Sequence, residues 1–253
     1  MLLTFLGTRG AKVPAGNGHY RHAALLIEKN HQRLLIDCGS DWQGLHAELQ
    51  PHATLLTHAH DDHAGGLGDA DLSPLWASKA TWQVLAHANL PQCHIFSPHE
   101  PLHLADCTIT PWPVAHSLRA PAVALRISDG QSNLFYAPDL AALPEREAAL
   151  SGVDLYIGDG AAFDASLLRV EQEQLCGHAP LPQQLAWCVA TGVPRMLITH
   201  CGAALVSSGY RRSLEPLQQH AAELGIRLEV ACDGQQLNLA SPGLSLNQRA
   251  PSG

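Results

Sequence analysis

The sequence predicts an α/β domain built on one core, and three observations carry that expectation. Short apolar runs ending in turn residues recur along the chain, and segments with helical spacing lie between several of them. Neither low-complexity sequence nor a fixed repeat of roughly 20 to 50 residues interrupts residues 1–240, which excludes a solenoid or propeller. The strand signals fall at residues 2–6, 23–28, 33–37 and 53–57, then at 122–127, 133–137, 155–158, 196–199 and 228–231. Each run has the length of a strand rather than of a helix. Helical spacing covers 42–49, 80–90, 144–150, 182–191 and 211–224, the last followed by Gly225 as a stop. The early part is therefore rich in strands, and later strands alternate with helices. Residues 1–239 are expected to form a single domain, and 240–253, rich in Ser, Pro and Gly, a loose surface tail.

Composition narrows the function classes. A chain of 253 residues with 46% hydrophobic, 15% charged and 5% aromatic residues can bury a sizeable core without a covalent staple. Its net charge is 15 minus 23, or -8, and the longest run of basic residues is the pair Arg211-Arg212. That is no electrostatic footprint for duplex DNA, so nucleic acid is not an expected partner. The seven Cys form no C-x-x-C pair and are odd in number, which suits reduced thiols and a cytoplasmic setting. The start lacks a basic n-region and a cleavage site, and no apolar run nears the ~18 residues of a membrane span, so a soluble, untargeted protein is expected. The sixteen His outnumber Lys and Arg together, and imidazole is the side chain most used for metal ligation and for proton transfer near neutral pH.

Three of those His fall with two Asp in Thr57-His58-Ala59-His60-Asp61-Asp62-His63-Ala64-Gly65-Gly66, directly after the apolar run that begins at Ala53. Imidazole nitrogen and carboxylate oxygen are the ligands that borderline divalent metals prefer. An alternating His-x-His at a strand end can aim both rings at one ion, which leaves Asp62 and His63 for a second. A solvated His-rich loop is the alternative. Crowding ionisable groups at the mouth of a buried strand, however, is unfavourable unless a cation organises them.

The pattern His58-x-His60-x-Asp62-His63 resembles the signature of the metallo-β-lactamase-fold superfamily, and the order of later residues over 1–239 is similar. The resemblance implies a four-layer αβ/βα sandwich of two mixed β-sheets with helices on both outer faces. It implies two divalent ions, zinc or manganese with iron as a third choice. His58, His60 and His116 would hold one ion, Asp62, His63 and His200 the other, and Asp139 would bridge them. The activity implied is hydrolysis by a metal-bridging hydroxide. His116 and Asp139, taken singly, also read as a strand-end residue and a turn residue. Asp37 before Cys38-Gly39 resembles the buried carboxylate that orients such a site, and Asp159 reads either as a helper or as a turn residue.

The opening Leu3-Thr4-Phe5-Leu6-Gly7-Thr8-Arg9-Gly10 resembles the phosphodiesterase branch shared by tRNA 3′-processing endonucleases and phosphoribosyl cyclic phosphodiesterases. There a Gly-rich turn is expected to offer backbone N–H groups to a phosphate. The same branch implies that His178 contacts the phosphate or protonates the leaving oxygen, so His178 and Asp62 are the expected catalytic residues, Asp62 doubling as a ligand. Two features depart from the branch. Residues 15–22 lack the Cys of the cyclic phosphodiesterase's structural zinc loop, leaving His19 and His22 without a role, and no long arm for tRNA is present. The substrate expected is therefore a small phosphodiester, cyclic phosphates included, with Arg9, Lys12, Arg21 and Arg119 as candidate contacts. A lactonase or thioesterase on the same metals, a non-catalytic metal-binding module and a homodimer all stay open.

Overall fold

The structure, a computed structural model, describes residues 1–68, 73–85, 92–164 and 166–239. The strands in chain order begin with β1 (Leu2–Gly7), β2 (Ala24–Lys29), β3 (Gln32–Ile36), β4 (Ala53–Leu55), β5 (Leu75–Ser78) and β6 (Cys93–Phe96). They continue with β7 (Leu102–Leu104), β8 (Cys107–Val114), β9 (Ala122–Ser128), β10 (Asn133–Tyr136) and β11 (Leu155–Asp159). A hairpin of β12 (Arg169–Glu171) and β13 (Gln174–Cys176) precedes β14 (Arg195–Thr199), β15 (Arg227–Val230) and β16 (Gln235–Asn238). Among the described residues these make two seven-stranded mixed sheets, ordered β16-β1-β2-β3-β4-β5-β6 and β15-β14-β11-β10-β9-β8-β7, with the hairpin apart from both.

The two sheets stack because each presents an apolar face to the other. Leu3, Phe5, Leu25, Ile27, Leu34, Ile36 and Leu55 of the first meet Ile109, Leu125, Ile127, Leu134, Tyr136, Leu155, Ile157 and Leu197 of the second, all at most 1% exposed. Alternation sends the neighbours outward: Phe135, Tyr156, Met196 and Ile198 pack beneath α3 (Arg146–Leu150), α4 (Leu181–Thr191), α5 (Ala203–Val206) and α6 (Tyr210–Glu223). On the far side of the first sheet, Leu35 packs on Trp42, and Leu56 and Ala77 pack on Ala64 and Trp82 of α1 (Asp61–Ala64) and α2 (Lys79–Leu85). The result is the helix–sheet–sheet–helix layering expected. Among the described residues no helix is long and apolar enough to cross a membrane.

All nine strands read from apolar runs are present, with ends moved by one or two residues; the helical segment 42–49 is not a helix but two 3₁₀ turns, Ser40–Trp42 and His46–Leu49. Gly44 at φ 76° and Gln50 at φ 47° keep that stretch from winding further. The end of α6 is as expected: Gly225 has φ 78°, and the Ile226 N–H reaches back to the Ala221 carbonyl at 2.8 Å. The strand β8 escaped detection because it carries Pro111 and Pro113. Two residues apart, both prolines turn their missing N–H to the same edge, past the end of the three-residue β7, where no ladder bond is lost. Residues 86–90 of the segment 80–90, and the expected tail 240–253, lie outside the described residues.

Gly39 fixes how the loop carrying His58–His63 lies against the first sheet. A Cβ there would sit 2.3 Å from the Asp62 carbonyl oxygen and 2.4 Å from His22 Cβ. Gly39→Ala should therefore destabilise the fold by about 1–3 kcal/mol, as overpacked substitutions do. Gly68→Ala, whose Cβ would meet nothing within 4 Å, should stay within about 0.5 kcal/mol of the parent. Urea midpoints at constant slope measure both.

Candidate metal centre

The residues singled out in the sequence converge from both sheets at the C-terminal ends of strands. The loop after β4 brings His58, His60 and, through α1, Asp62 and His63; β8 leads to His116, β10 to Asp139, β11 ends in Asp159, and β14 leads to His200. Three ring nitrogens face one another: His60 Nδ1 lies 3.0 Å from His58 Nε2 and 3.2 Å from His116 Nε2. Asp139 Oδ2 completes this group, 3.4 Å from His58 Nε2. A second group forms on the other side of the same carboxylate. His63 Nε2 is 2.8 Å from Asp139 Oδ2 and 3.6 Å from Asp62 Oδ2, while His200 Nε2 is 3.0 Å from Asp62 Oδ2. The ligand atoms of His58, His60, His116 and Asp139 lie within 4.8 Å of one another, and so do those of Asp62, His63, Asp139 and His200.

The far ring nitrogens are held by acceptors that leave the inward ones free to bind. His63 Nδ1 donates to Asp37 Oδ2 at 2.8 Å, His116 Nδ1 to the Gly177 carbonyl at 3.2 Å, and His200 Nδ1 to Asp159 Oδ1 at 3.2 Å. His58 Nδ1 donates to Thr57 Oγ1 at 3.0 Å, and the Thr57 hydroxyl passes its own proton to Asp37 at 3.0 Å. Asp37 thus orients His63 directly and His58 through one hydroxyl. It does so from a left-handed backbone, φ 61°, which persists because the carboxylate is fully engaged.

The donor set fits divalent cations. Lone pairs on His58, His60 and His116 converge at 3.0 and 3.2 Å, close to the roughly 3.3 Å edge of a tetrahedron of nitrogens around zinc. His63 Nε2 and Asp139 Oδ1 are buried with no hydrogen bond. Burial, then the neighbouring imidazoles, hold His58 well below the ordinary His value, and burial followed by His116 lowers His60. These two rings are neutral and ready to bind. Burial would raise Asp62 and Asp139, but the imidazoles around them outweigh it and keep both carboxyls ionised. In the metal-free protein His63 compensates by holding a proton: burial opposes it, yet Asp37 and Asp62 raise its pKa well above the ordinary value. A cation held there would take over that proton's role.

His178 sits beside this centre on the loop before α4, with a side chain 22% exposed. Its Nδ1 is 2.7 Å from Asp159 Oδ2 and 3.0 Å from Asp139 Oδ1, and the shorter, hydrogen-bonded contact goes to Asp159. Asp159 therefore combines both readings: its Oδ1 closes an Asx turn with the Ala161 N–H, and its carboxylate also holds two histidines. One oxygen holds His178, the other His200, and the Leu140 and Ala161 N–H groups fix the carboxylate at 3.1 and 2.8 Å. Gln184 locks the backbone behind it by accepting from the Asp159 N–H at 3.0 Å and donating to its carbonyl at 2.7 Å. Asp139, Asp159, His178 and His200 also bring ligand atoms within 4.8 Å. The protons already placed between them make that group a hydrogen-bond network rather than a third ion site.

A cleft of about 370 Å³ opens over the centre, lined by Lys12, His60, His116, Ser117, Arg119, Arg169, Glu171, Gly177 and His178. Lys12 and Arg119 were expected there; Arg169, on the β12–β13 hairpin, was not, and nothing in its surroundings in the sequence marks it. Two other candidates are turned away. Arg9 donates to the Val13 and Tyr20 carbonyls and to Asp41, and Arg21 stacks 4.3 Å over the Trp42 ring. The Gly-rich turn does not offer a phosphate cradle either, since the N–H groups of Thr8, Arg9 and Gly10 are spent. Thr8 donates to Asp233 Oδ1 at 2.9 Å, Arg9 to the Arg21 carbonyl at 2.9 Å and Gly10 to the Cys201 carbonyl at 3.1 Å. Gly7 is needed for close packing, because a Cβ there would lie 1.9 Å from the His22 carbonyl oxygen. His19 is buried against Thr8 Oγ1 at 2.7 Å, and His22 bonds Ser40 Oγ at 2.9 Å.

Fold and centre together define a metal-dependent hydrolase, and the chain belongs to the beta-lactamase superfamily, whose domain model matches residues 32–201. Local similarity reaches 43% identity over 77 residues with the anti-Pycsar protein Apyc1 of Bacillus phage 010DV004, 28% of this chain and 29% of that protein. It reaches 42% over 72 residues with ribonuclease Z of Methanopyrus kandleri, 26% and 25% of the two chains. The matched stretch thus spans little more than a quarter of these relatives' length. Among solved structures, the metallo-beta-lactamase fold protein YhfI from Bacillus subtilis superposes with a TM-score of 0.73 at 20% identity, over 93% of this chain and 98% of that one. A diphosphatase from the PhnP family gives 0.71 at 20% identity, over 93% and 96%. At that identity the two structures establish a shared fold.

Proton linkage at His178 gives a test on the metal-free protein. Burial lowers its pKa, but the Asp159 and Asp139 charges outweigh burial and raise it to about 11. A raised folded pKa stabilises the protonated form, so this contribution is complete below about 6.5 and fades as the pH rises toward about 11. Asp159→Asn should bring the ring's NMR titration down toward neutrality and flatten that part of the stability profile. An unchanged titration would assign the effect to Asp139 alone.

Proposed function

We propose that this chain is a dinuclear metal-dependent phosphodiesterase acting on small phosphodiesters, cyclic phosphates included. The observation that carries the reading is one carboxylate, Asp139, shared by two sets of inward-facing donors. In this reading His58, His60 and His116 hold one ion, Asp62, His63 and His200 the other, and residues 1–239 act as one hydrolase domain. When bound, such ions supply Lewis acidity and bring the pKa of water toward neutrality; zinc or manganese suits the donor set, with iron a third choice.

The chain's own residues supply the rest. His178 holds a proton on Nδ1 against Asp159, and the opposite edge of its ring borders the cleft, where it can donate to the leaving oxygen. Lys12, Arg119 and Arg169 line the cleft of a chain whose net charge is -8, and with Arg169 paired to Glu171 on the same wall two cations remain to attract an anionic substrate. This favours a phosphodiester over the lactone or thioester alternative. The overall negative charge and the modest cleft favour a small molecule over tRNA. The names of two similar proteins, a ribonuclease and a diphosphatase, point to chemistry at phosphorus as well. Seven cysteines outside any disulfide fit a reducing, cytoplasmic setting.

Protein purified without chelator should carry about two ions per chain by mass spectrometry and hydrolyse bis(p-nitrophenyl) phosphate in proportion to its metal content. Asp139→Ala should lose both ions and all turnover; wild-type metal content in that variant would refute the shared ligand. His178→Ala should keep its metal and lower kcat by about 10²–10⁴, the usual worth of a positioned general acid. If metal leaves with the ring, His178 is a ligand instead. Two ions with turnover only on a lactone or thioester panel would reassign the substrate class.

A further inference from the structure

The Gly-rich turn after β1 is tied to two distant segments, and together they lead to the metal centre. One is Asp233, in the turn between β15 and β16. Its Oδ1 accepts from the Thr8 N–H at 2.9 Å and from the Thr8 hydroxyl at 2.6 Å, and its Oδ2 accepts from the N–H groups of Tyr20 and Arg21, both at 2.8 Å. The Asp233 N–H donates in turn to the Gly18 carbonyl at 2.8 Å. Thr8 is fully buried, and its one hydroxyl proton goes to Asp233, so His19 Nδ1 is the donor across 2.7 Å to the same hydroxyl oxygen. A single carboxylate thus joins residue 8 to residues 18–21, and hydrogen bonds to a carboxylate are strong and directional.

The other segment is Cys201, the residue after His200. The Thr8 carbonyl accepts from the Cys201 N–H at 2.6 Å, and the Gly10 N–H donates to the Cys201 carbonyl at 3.1 Å, so the turn brackets Cys201 on both sides. The Cys201 N–H belongs to the peptide that joins it to His200, whose backbone is left-handed at φ 49°. A residue other than glycine stays in that region only where its surroundings over-determine it. The bond from His200 Nδ1 to Asp159 holds the ring, and the bracket holds the main chain in addition. Gly10 also closes on the ring itself, since a Cβ there would lie 3.3 Å from His200 Cε1 and Nε2. Ligands must be held to within about half an ångström of a productive geometry. We infer that the Gly-rich turn is a brace for His200, and that Thr8 and Asp233 are positioning residues for the metal centre: by holding the turn, they set the backbone from which His200 meets Asp62. His58 and His60 follow β4 and His116 follows β8, so the cluster of Asp62, His63 and His200 depends on the brace more than theirs does. The inference rests on the two-ion reading above.

The experiment is an equilibrium titration of chelator-stripped protein with Zn²⁺ against a chromophoric competitor. It compares the wild type, Thr8→Val, Thr8→Ser, His200→Ala and the double variant of Thr8→Val with His200→Ala. Valine keeps the shape of threonine and the N–H to Asp233 but lacks the hydroxyl, whereas serine keeps the hydroxyl. The wild type should bind two ions. Thr8→Val should bind one of them within about threefold of the wild type and the other about 10-fold more weakly, the low end of the range seen when the partner of a metal ligand is removed. Thr8→Ser should bind both as the wild type does. His200→Ala should keep one ion, and adding Thr8→Val should leave that affinity within about threefold, because the brace then has no ligand to act on. Wild-type affinities in Thr8→Val, an equal loss in Thr8→Ser, or a further 10-fold loss in the double variant would overturn the positioning role while leaving two ions in place. A Thr8→Val protein too unstable to titrate would overturn it as well, by assigning the network to stability alone. Fewer than two ions on the wild type would overturn the two-ion reading, and the positioning role with it.

Discussion

Four carboxylates, Asp37, Asp62, Asp139 and Asp159, are buried to 5% exposure or less among six imidazoles at one end of the molecule. No arrangement of so many titratable groups in a poorly hydrated space is stable by accident, since each unpaired charge there is penalised by several kcal/mol. Two of the carboxylates, Asp37 and Asp159, are neutralised by hydrogen bonds from imidazoles and main-chain N–H groups. The other two, Asp62 and Asp139, face inward with lone pairs that imidazole nitrogens also share. Positive charge at the centre of this cluster reconciles its members, supplied by protons on His63 and His200 without metal and by cations with it.

The rest of the architecture follows from delivering those groups to one place. β3 runs parallel to β4, and β10, β11 and β14 run parallel to one another, so their C-terminal ends open on the same side of the stacked sheets. Ligands carried at strand ends inherit the rigidity of the sheets while their side chains escape the ladders, the arrangement by which open α/β sheets build sites generally. The chain must also turn sharply to aim them. Asp37 and His200 both take left-handed backbone, φ 61° and 49°, and both are held there by the hydrogen bonds of the centre itself.

Above the buried cluster, the cleft has the opposite character. Its walls are supplied by loops and by the β12–β13 hairpin, and its exposed cations contrast with the negative charge of the whole. Rigid, buried donors thus lie beneath and exposed side chains above, where Arg169 and its partner Glu171 form a surface ion pair of the kind that contributes little to stability.

The candidate ligand set was legible in the sequence because it obeys local rules. His58, His60, Asp62 and His63 lie within six residues, and His116, Asp139 and His200 each follow an apolar run in an order that matches a known signature. Asp37 and His178 were legible for the same reason. Strands announced themselves where a continuous apolar run meets a turn, and went unseen where prolines broke the pattern in β8 or where, as in β12, the residues are exposed. What the sequence alone determined is which groups are available and which fold brings them together, since both are written in the period and order of side chains along one strand at a time. Only the tertiary structure decided that Asp159 serves two histidines, that Arg9 and Arg21 are engaged elsewhere, and that the N–H groups of Thr8, Arg9 and Gly10 in the Gly-rich turn are already donated. Each of these depends on the register and spacing of two sheets, a relation between distant segments that no local pattern encodes.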